Sequence, residues 1–360
     1  MKRQFEAKNC NYLYKKMLLD LFSNGKEISP RGLTTKEFFP CLTIIKEPRE
    51  RFLSCFSRVI NPFFLIAEAI WIFSGRGDEE WITKYCKSLG KYADKGFDDY
   101  NGAYGIRLRK WGQNRERRYF KNDIGFYNIP FDQVYDIINK LKKDNNTRQA
   151  IATLHIPPFD SHLVNTLDRP CNVISMFKIR DNKLHLHQIL RSNDINKGLF
   201  PTNVFQWSFI LECIASELKI DVGELLFFSD SLHMYVNDKI TEKVIKDKRK
   251  IDIYEFIRPT KITTSLRDTD EIIKSIMQET DDIIKDNFWQ SVFYMLKIYR
   301  LRLQDKKIEA IKLTKNVLAE DMRVMAYNFH WNKKKTDEEK TLIINETRNY
   351  IYELKSFIME

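Results

Sequence analysis

The sequence predicts an α/β (α+β) domain over residues 1–265 followed by a helical extension over 266–360. Three observations lead there. Several short runs alternate apolar and polar residues with period two, as half-buried strands do. Longer apolar stretches at helical spacing lie between them. From residue 270 onward the chain contains neither Gly nor Pro and reads as one helical pattern after another.

Composition narrows the classes. The 360 residues are 43% hydrophobic and 13% aromatic, enough to bury a substantial core. No stretch reaches the roughly 18 apolar residues that a membrane span needs. Residues 1–6 are charged with no apolar run behind them, so no signal peptide and no membrane partner are expected. Cys10, Cys41, Cys55, Cys86, Cys171 and Cys213 are scattered without a CxxC pair, which argues against zinc or a disulfide framework. Reduced thiols fit a cytoplasmic protein. Lys plus Arg number 60 against 49 Asp plus Glu, a net charge of +11. Such an excess concentrates anions near the surface, although a lysine-rich host composition gives the same number. Anionic small substrates are compatible with it. Nucleic acid is not expected, because the charge is dispersed and no RNP-type motif, zinc finger or basic stripe is present.

Taken in order, residues 10–24 form an amphipathic helix with Leu13, Met17, Leu18, Leu21 and Phe22 on one stripe. Asn24-Gly25 marks a turn, Arg31-Gly32 a loop, and 38–46 a strand. Asn61-Pro62 opens a strongly apolar helix over 63–73, stopped near Gly75. A second helix spans about 78–92, and 98–105 is rich in turn residues. Residues 132–143 read as a helix and 148–155 as a strand ended by Pro157-Pro158. Residues 173–179 and 184–190 form a hairpin around Asp181-Asn182. Residues 204–218 are a helix apolar on most faces, and 225–229 a short strand. The extension carries helical patterns over roughly 270–303, 306–328 and 337–358.

The residues able to carry chemistry each have two readings. Cys171, after Pro170, could be a nucleophile if cations stabilise its thiolate; taken alone, a buried structural cysteine is the commoner case. Arg191-Ser192 sets a guanidinium beside a hydroxyl, a pairing suited to phosphate, or else forms a surface ion pair. Asp194 could accept from a ring nitrogen or serve as a turn residue before Gly198. Asn203 could pair with both a carbonyl and an N–H of one base edge, or cap the helix it opens. His233 and Tyr235, two apart, share a face and could hold a sugar hydroxyl. Glu68 sits in an apolar helix, where a carboxyl acquires a raised pKa and can trade protons near neutral pH. His185 and His187 alternate on a strand, but no neighbouring carboxylate or cysteine completes a metal site, so no metal is expected.

The order of these pieces resembles the thymidylate synthase and pyrimidine nucleotide hydroxymethylase superfamily. The family pattern has a Pro-Cys before a hairpin, an Arg-Ser-x-Asp ending it, a Gly four after the Asp, an Asn opening the next helix, and a later His-x-Tyr. Here these are Pro170-Cys171, Arg191-Ser192-Asn193-Asp194, Gly198, Asn203 and His233-Met234-Tyr235. Upstream, a Glu-x-x-Trp matches Glu68 to Trp71, and a Tyr-Gly matches Tyr104-Gly105. A phosphate-binding Arg matches Arg31, and a dimer-crossing Arg matches Arg148. The resemblance covers about residues 10–260. There are departures. Arg148 is followed by Gln149 rather than a second Arg, and Cys171 by Asn172 rather than His. One extra residue lies between Gly198 and Asn203, and Ser229-Asp230-Ser231-Leu232 replaces a Gly-Asp. Tyr92 and Phe97 stand where a Trp pair often lines the folate site. The pattern is similar to divergent, often phage-type, members.

The resemblance implies a mixed, kinked sheet with helices on one side, packed back to back in a homodimer. It implies that Cys171 adds to C6 of a pyrimidine nucleoside monophosphate, and that C5 then takes a one-carbon unit from 5,10-methylenetetrahydrofolate. Glu68 with ordered water would handle protons at O4 and C5, and Tyr104 would assist. Arg31, Arg191, Ser192 and the partner subunit's Arg148 would hold the phosphate. Asn203 would read the base, and His233 and Tyr235 the sugar. Asp194, counted also among the catalytic residues, would hold the pterin beside Gly198. Asn203 favours dUMP over dCMP. Hydride transfer would give a methyl group and water capture a hydroxymethyl group. A non-catalytic nucleotide-binding or assembly protein is the alternative from another class.

Overall fold

A computed structural model describes residues 2–94, 96–97, 99–111, 131–161 and 166–359. Strand β1 (Arg3–Ala7) leads into helix α1 (Cys10–Asn24), whose first turn is closed by Asn9 accepting from the Asn11 N–H. Leu13, Met17, Leu18 and Leu21 are buried as the periodicity requires, whereas Phe22 is exposed. The strand expected over 38–46 is two strands, β3 (Thr35–Phe38) following the short β2 (Lys26–Ile28), and then β4 (Cys41–Ile45). Pro40 lies in the break, where it has no N–H to give a ladder.

Helix α2 (Pro62–Phe73) starts with Asn61 accepting from the Phe64 N–H and Pro62 in the first turn. The expected 78–92 helix is α3 (Glu79–Tyr85) plus a 3-10 stretch, Lys87–Tyr92, separated by Cys86 with non-helical φ −147° and ψ 88°. Next come α4 (Tyr104–Arg109), α5 (Gln133–Lys143) and β5 (Ile151–Thr153), which is shorter than the predicted 148–155. Asp98, within the turn-rich stretch, lies outside the described residues. After the single turn α6 (Pro157–Asp160), β6 (Asn172–Arg180) and β7 (Lys183–Leu190) form the predicted hairpin. Asp181 and Asn182 take φ of 50° and 56°, the left-handed pair that a two-residue hairpin turn needs. Short β8 (Asn193–Asp194) and a π-helical stretch, Ile195–Asn203, precede α7 (Val204–Leu218). Strands β9 (Asp221–Ser229) and β10 (Leu232–Tyr235) and helix α8 (Lys239–Lys246) complete this part.

The strands form a six-stranded sheet, β1-β4-β9-β7-β6-β5, and a four-stranded one, β2-β3-β10-β8. The two are halves of one kinked surface. Three neighbouring strands of the first, β4-β9-β7, continue after short breaks as β3-β10-β8 in the same order. Cys41 pairs with Ser229 on one side of the kink and Phe38 with Leu232 on the other. The breaks fall at 39–40, 191–192 and 230–231, so Arg191 and Ser192 stand at the kink itself.

One face of the six-stranded sheet, with Phe177, Leu184, Leu186, Leu190, Leu225 and Phe227, is buried; α7 packs on β7 and β9. The other face carries Leu42, Ile44, Met176, Ile189, Leu226 and Phe228, all only partly covered. Residues 266–359 form six helices where the pattern showed three runs: α9 (Leu266–Met277), α10 (Asn287–Leu303), α11 (Lys307–Thr314), α12 (Glu320–Trp331), α13 (Asp337–Glu346) and α14 (Tyr352–Met359). Their aromatic residues join the same core. Phe63 of α2 meets Tyr299 at 5.3 Å and Phe329 at 5.2 Å, and Phe209 of α7 meets Trp289 at 5.9 Å, between ring centroids. The extension therefore backs the two helices that carry Glu68 and the segment following Asn203.

Candidate active site

Cys171 stands one residue ahead of β6, and Arg191 one residue after β7. Pairing of Asn172 with Leu190 brings them together. The Arg191 N–H donates to the Cys171 carbonyl at 3.0 Å, and its Nε to the Pro170 carbonyl at 2.9 Å. These bonds fix the guanidinium so that Nη2 lies 3.7 Å from the Cys171 Sγ. Burial pushes the thiol pKa above its ordinary value; Arg191 pulls against it, Asp168 adds to it, and Arg31 pulls against it more weakly. The resting group is therefore a thiol beside a cation that can stabilise its thiolate. Asp168 is anchored by the Gly102 N–H at 2.6 Å.

Tyr104 reaches the same turn from α4. Its hydroxyl accepts from the N–H groups of Cys171 at 3.1 Å and Asn172 at 3.2 Å. Burial and the neighbouring thiol hold the phenol pKa well above its ordinary value, so the proton stays on and is available for donation. Asn172 is oriented from behind: Ser175 donates to Gln188 at 2.5 Å, and Gln188 Nε2 donates to Asn172 Oδ1 at 2.9 Å. The Asn172 Nδ2 is left buried without a partner.

Asn203 ends the π-helical stretch in helical conformation, and its side chain caps nothing. Instead its Nδ2 donates to Asn193 Oδ1 at 3.1 Å, and Asn193 Nδ2 donates to Ser229 at 3.0 Å. The amide is thus held flat, with a second N–H and its Oδ1 free for a base edge. Gly198 makes room for this pair: a Cβ there would lie 2.8 Å from Asn193 Oδ1. Asp194 Oδ1 caps the stretch by accepting from Asn196 at 2.7 Å and Lys197 at 3.1 Å, leaving Oδ2 for a ligand. Both readings of Asp194 are thereby compatible. Arg58 grips the stretch from the other side through the carbonyls of Phe200, at 3.0 Å, and Asn196. Parallel pairing sets His233 beside Asp194. The His233 and Tyr235 rings meet edge to face at 5.7 Å on the shared face that their spacing predicts.

Glu68, on α2, lies where burial pushes its carboxyl up to about 8, offset in part by Gln206. Gln206 and Trp207 are the third and fourth residues of α7, and Trp207 faces the Tyr104 ring at 6.2 Å. A route of contacts thus runs from Glu68 through α7 to Tyr104 and Cys171. Arg31 is exposed, with a left-handed φ of 55°, and near enough for its charge to act on the Cys171 thiol. Ser192 is half-buried beside Arg191. Arg148 is exposed just before edge strand β5, and no described contact joins it to the other candidates. Among the described residues no group of three or more His, Cys, Asp or Glu is arranged to hold a metal. No described helix is long and apolar enough to cross a membrane. A cavity of about 620 Å³ lies elsewhere, between α1 and residues 244–255, and shares none of the candidate residues.

Sequence reasoning missed Asn193, Gln188, Ser175, Gln206 and Arg58. Two of them left a signal. Gln188 occupies an inward slot between Leu186 and Leu190, and Gln206 interrupts an otherwise apolar helix; a polar residue in a core position needs a partner. Asn193 and Arg58 gave none, because their contacts are made across the chain.

A profile described as thymidylate synthase matches residues 12–337. The chain is 38% identical over 245 residues to the deoxyuridylate hydroxymethyltransferase of Bacillus phage SP01, covering 67% of this chain and 62% of that protein. It is 29% identical over 206 residues to the deoxyuridylate hydroxymethyltransferase of Pseudomonas phage M6, covering 57% and 53%. A Methanosarcina mazei protein described as "Putative thymidylate synthase" is 29% identical over 246 residues, covering 68% and 95%. The chain thus spans less than two thirds of the two phage enzymes and nearly all of the archaeal protein. With a profile matching most of its length, the chain belongs to the thymidylate synthase family.

Proposed function

We propose that the protein transfers a one-carbon unit to C5 of dUMP through a covalent adduct of Cys171 with C6. The observation that carries this reading is the Arg191 guanidinium, held 3.7 Å from the Cys171 Sγ as its Nε donates to the Pro170 carbonyl at 2.9 Å and its Nη2 to the Arg169 carbonyl at 3.3 Å. A thiol so placed becomes nucleophilic as its proton leaves, because the fixed cation stabilises the thiolate. Sulfur bonds C6, the C5=C6 pair moves toward O4, and C5 becomes the carbon that attacks. Arg31, Arg191 and Ser192 hold the phosphate. Asn203 presents an N–H to O4 and its Oδ1 to the N3–H, a donor–acceptor pair that matches uracil. His233 and Tyr235 hold the sugar, and Glu68 and Tyr104 handle protons.

Bound 5,10-methylenetetrahydrofolate supplies the one-carbon unit. Asp194 Oδ2 can hold a pterin ring nitrogen; Gly198 serves that end by leaving Asn193 and Asn203 their space. The partly covered face of the six-stranded sheet supports a homodimer. Leu42, Ile44, Met176, Ile189, Leu226 and Phe228 are a continuous apolar surface that a second copy would cover. Arg148, beside edge strand β5, would then reach the neighbouring site. The six free cysteines suit a reducing cytoplasm.

The test is tritium release from 5-tritiated dUMP with and without methylenetetrahydrofolate, with the product weighed by mass spectrometry. Release from dUMP that requires the folate is expected; no release from either dUMP or dCMP would overturn the reading. Hydroxymethylation is the second reading, favoured by the 38% identity to the phage SP01 deoxyuridylate hydroxymethyltransferase. Product mass separates the two.

A further inference from the structure

The partly covered face of the six-stranded sheet has a histidine at its centre. Register partners on neighbouring strands share a face, so the pairings define rows across the sheet. Ile44 pairs with Leu226, Leu226 with His187, His187 with Met176, and Met176 with Ile151. This row crosses β4, β9, β7, β6 and β5, and His187 is its one polar member. The row on one side, from Leu42 through Phe228 and Ile189 to Ile174, is apolar. The row on the other side is charged. His185 pairs there with Lys178, and the Glu224 N–H donates to His185 Nδ1 at 3.1 Å. Gly223 leaves that ring its place, since a Cβ would lie 2.6 Å from it. The titratable groups acting on His187 are thus Lys178 of β6, His185 of its own strand and Glu224 of β9. In its row, β4 and β5 bring only Ile44 and Ile151.

We propose that a second copy of this chain covers this face only while His187 is neutral, so that protons gate the homodimer. The inference rests on the homodimer reading given above. A second copy is the occupant the face fits. Sheet faces pack on sheet faces, and a two-fold contact sets one surface against its own image, so the apolar rows of each copy meet. The charged row holds both signs, and a two-fold copy can set Lys178 against Glu224. An imidazolium at the centre would lose water with no carboxylate in its own row to replace it. Even in one chain the His187 pKa lies below its ordinary value, through burial first and then Lys178 and His185, with Glu224 pulling the other way. A second copy adds burial. The separated chains therefore take up a proton more readily than the dimer does, and acid favours separation. Two such histidines enter each dimer, so the dissociation constant should rise by up to about 100-fold per pH unit below the free chain's pKa and stay level above it.

Sedimentation of the full chain between pH 8 and pH 5.5 reads the dissociation constant, and circular dichroism follows the fold in the same samples. Neither needs nucleotide or folate, so the result stands whether or not dUMP proves to be the substrate. The parent should be dimeric at pH 8 and should weaken by about tenfold or more between pH 7 and pH 5.5 with its fold intact. His187→Gln should hold a nearly level constant over that range. His187→Leu, which completes the apolar row, should be level and tighter, and it keeps the test open if the first variant fails to fold. A chain that is monomeric at pH 8 at every concentration overturns the homodimer reading and the gate with it. A dimer that holds unweakened at pH 5.5, that weakens equally in the folded His187 variants, or that separates only as its fold is lost overturns the gate alone.

Discussion

Cys171 and Glu68, the nucleophile and the proton carrier of the proposed site, sit in opposite electrical settings. Cys171 is at a strand edge, half-buried, with Arg191 at 3.7 Å and the charges of Asp168 and Arg31 acting on it. Glu68 is on a helix in an apolar layer, with no charge acting on it and only an amide beside it. Burial raises both pKa values, but at Cys171 fixed cations oppose it and at Glu68 no charge does. The difference teaches how one fold can supply an incipient anion and a proton donor at the same pH. Cations gathered by a strand kink favour the thiolate, and a charge-free helix interface favours the neutral acid.

The largest effect expected from breaking this contrast is loss of the nucleophile. Cys171→Ala should lower turnover by at least about 10⁴-fold while dUMP still binds, since sulfur provides the covalent step and the cations remain. Single-turnover assays with equilibrium binding measure both, and residual activity of more than a few per cent would remove Cys171 from the mechanism. Next is the acid. Glu68→Gln should cost about 10²- to 10⁴-fold in kcat. It should also stabilise the fold. The folded pKa of about 8 exceeds the ordinary 4.5, so the folded state holds a proton that the unfolded chain releases, and stability falls as pH rises between those values. Glu68→Gln removes that penalty. Its Tm should exceed the parent's at pH 8, and the gap should close toward pH 4.5; equal pH dependence in both proteins would show that Glu68 is not buried as an acid.

Arg148 tests whether the cation end is built by one chain or two. Arg148→Ala and Cys171→Ala subunits, each inactive alone, should regain activity when mixed, because one site of a mixed dimer carries neither defect. If subunits exchange and the mixture stays dead, the phosphate is held within one chain. Asn203→Asp should then move preference from dUMP toward dCMP by about 1–3 kcal/mol, as a carboxylate offers no N–H to uracil O4. Competition binding checks the direction. The smallest effect is expected at Gly198→Ala, whose Cβ would press on Asn193 Oδ1 from 2.8 Å. A rise in KM for dUMP of about tenfold, roughly 1.4 kcal/mol, with kcat nearly unchanged would confine it to supporting the base reader.

Local chemistry made much of this legible. Asn61-Pro62 announced α2, the Asp181-Asn182 turn announced the β6–β7 hairpin, and that hairpin alone dictates that Cys171 and Arg191 become neighbours. Glu68 among apolar residues announced a raised pKa. These follow from short-range rules of capping, turn geometry and periodicity, which act on residues close in sequence. The tertiary structure decided the rest. That β4, β9 and β7 break in step, placing Arg191 and Ser192 at a kink, depends on pairing between segments as distant as Phe38 and Leu232. That Asn203 bonds Asn193 rather than capping its helix depends on Gly198 leaving the space between them. That the extension packs on α2 and α7, through α9, α10 and α12, depends on contacts such as those of Tyr299 with Phe63 and Trp289 with Phe209, made across the chain. Side-chain partners chosen at long range are set by which surfaces the fold presses together, and a linear pattern carries no record of that choice.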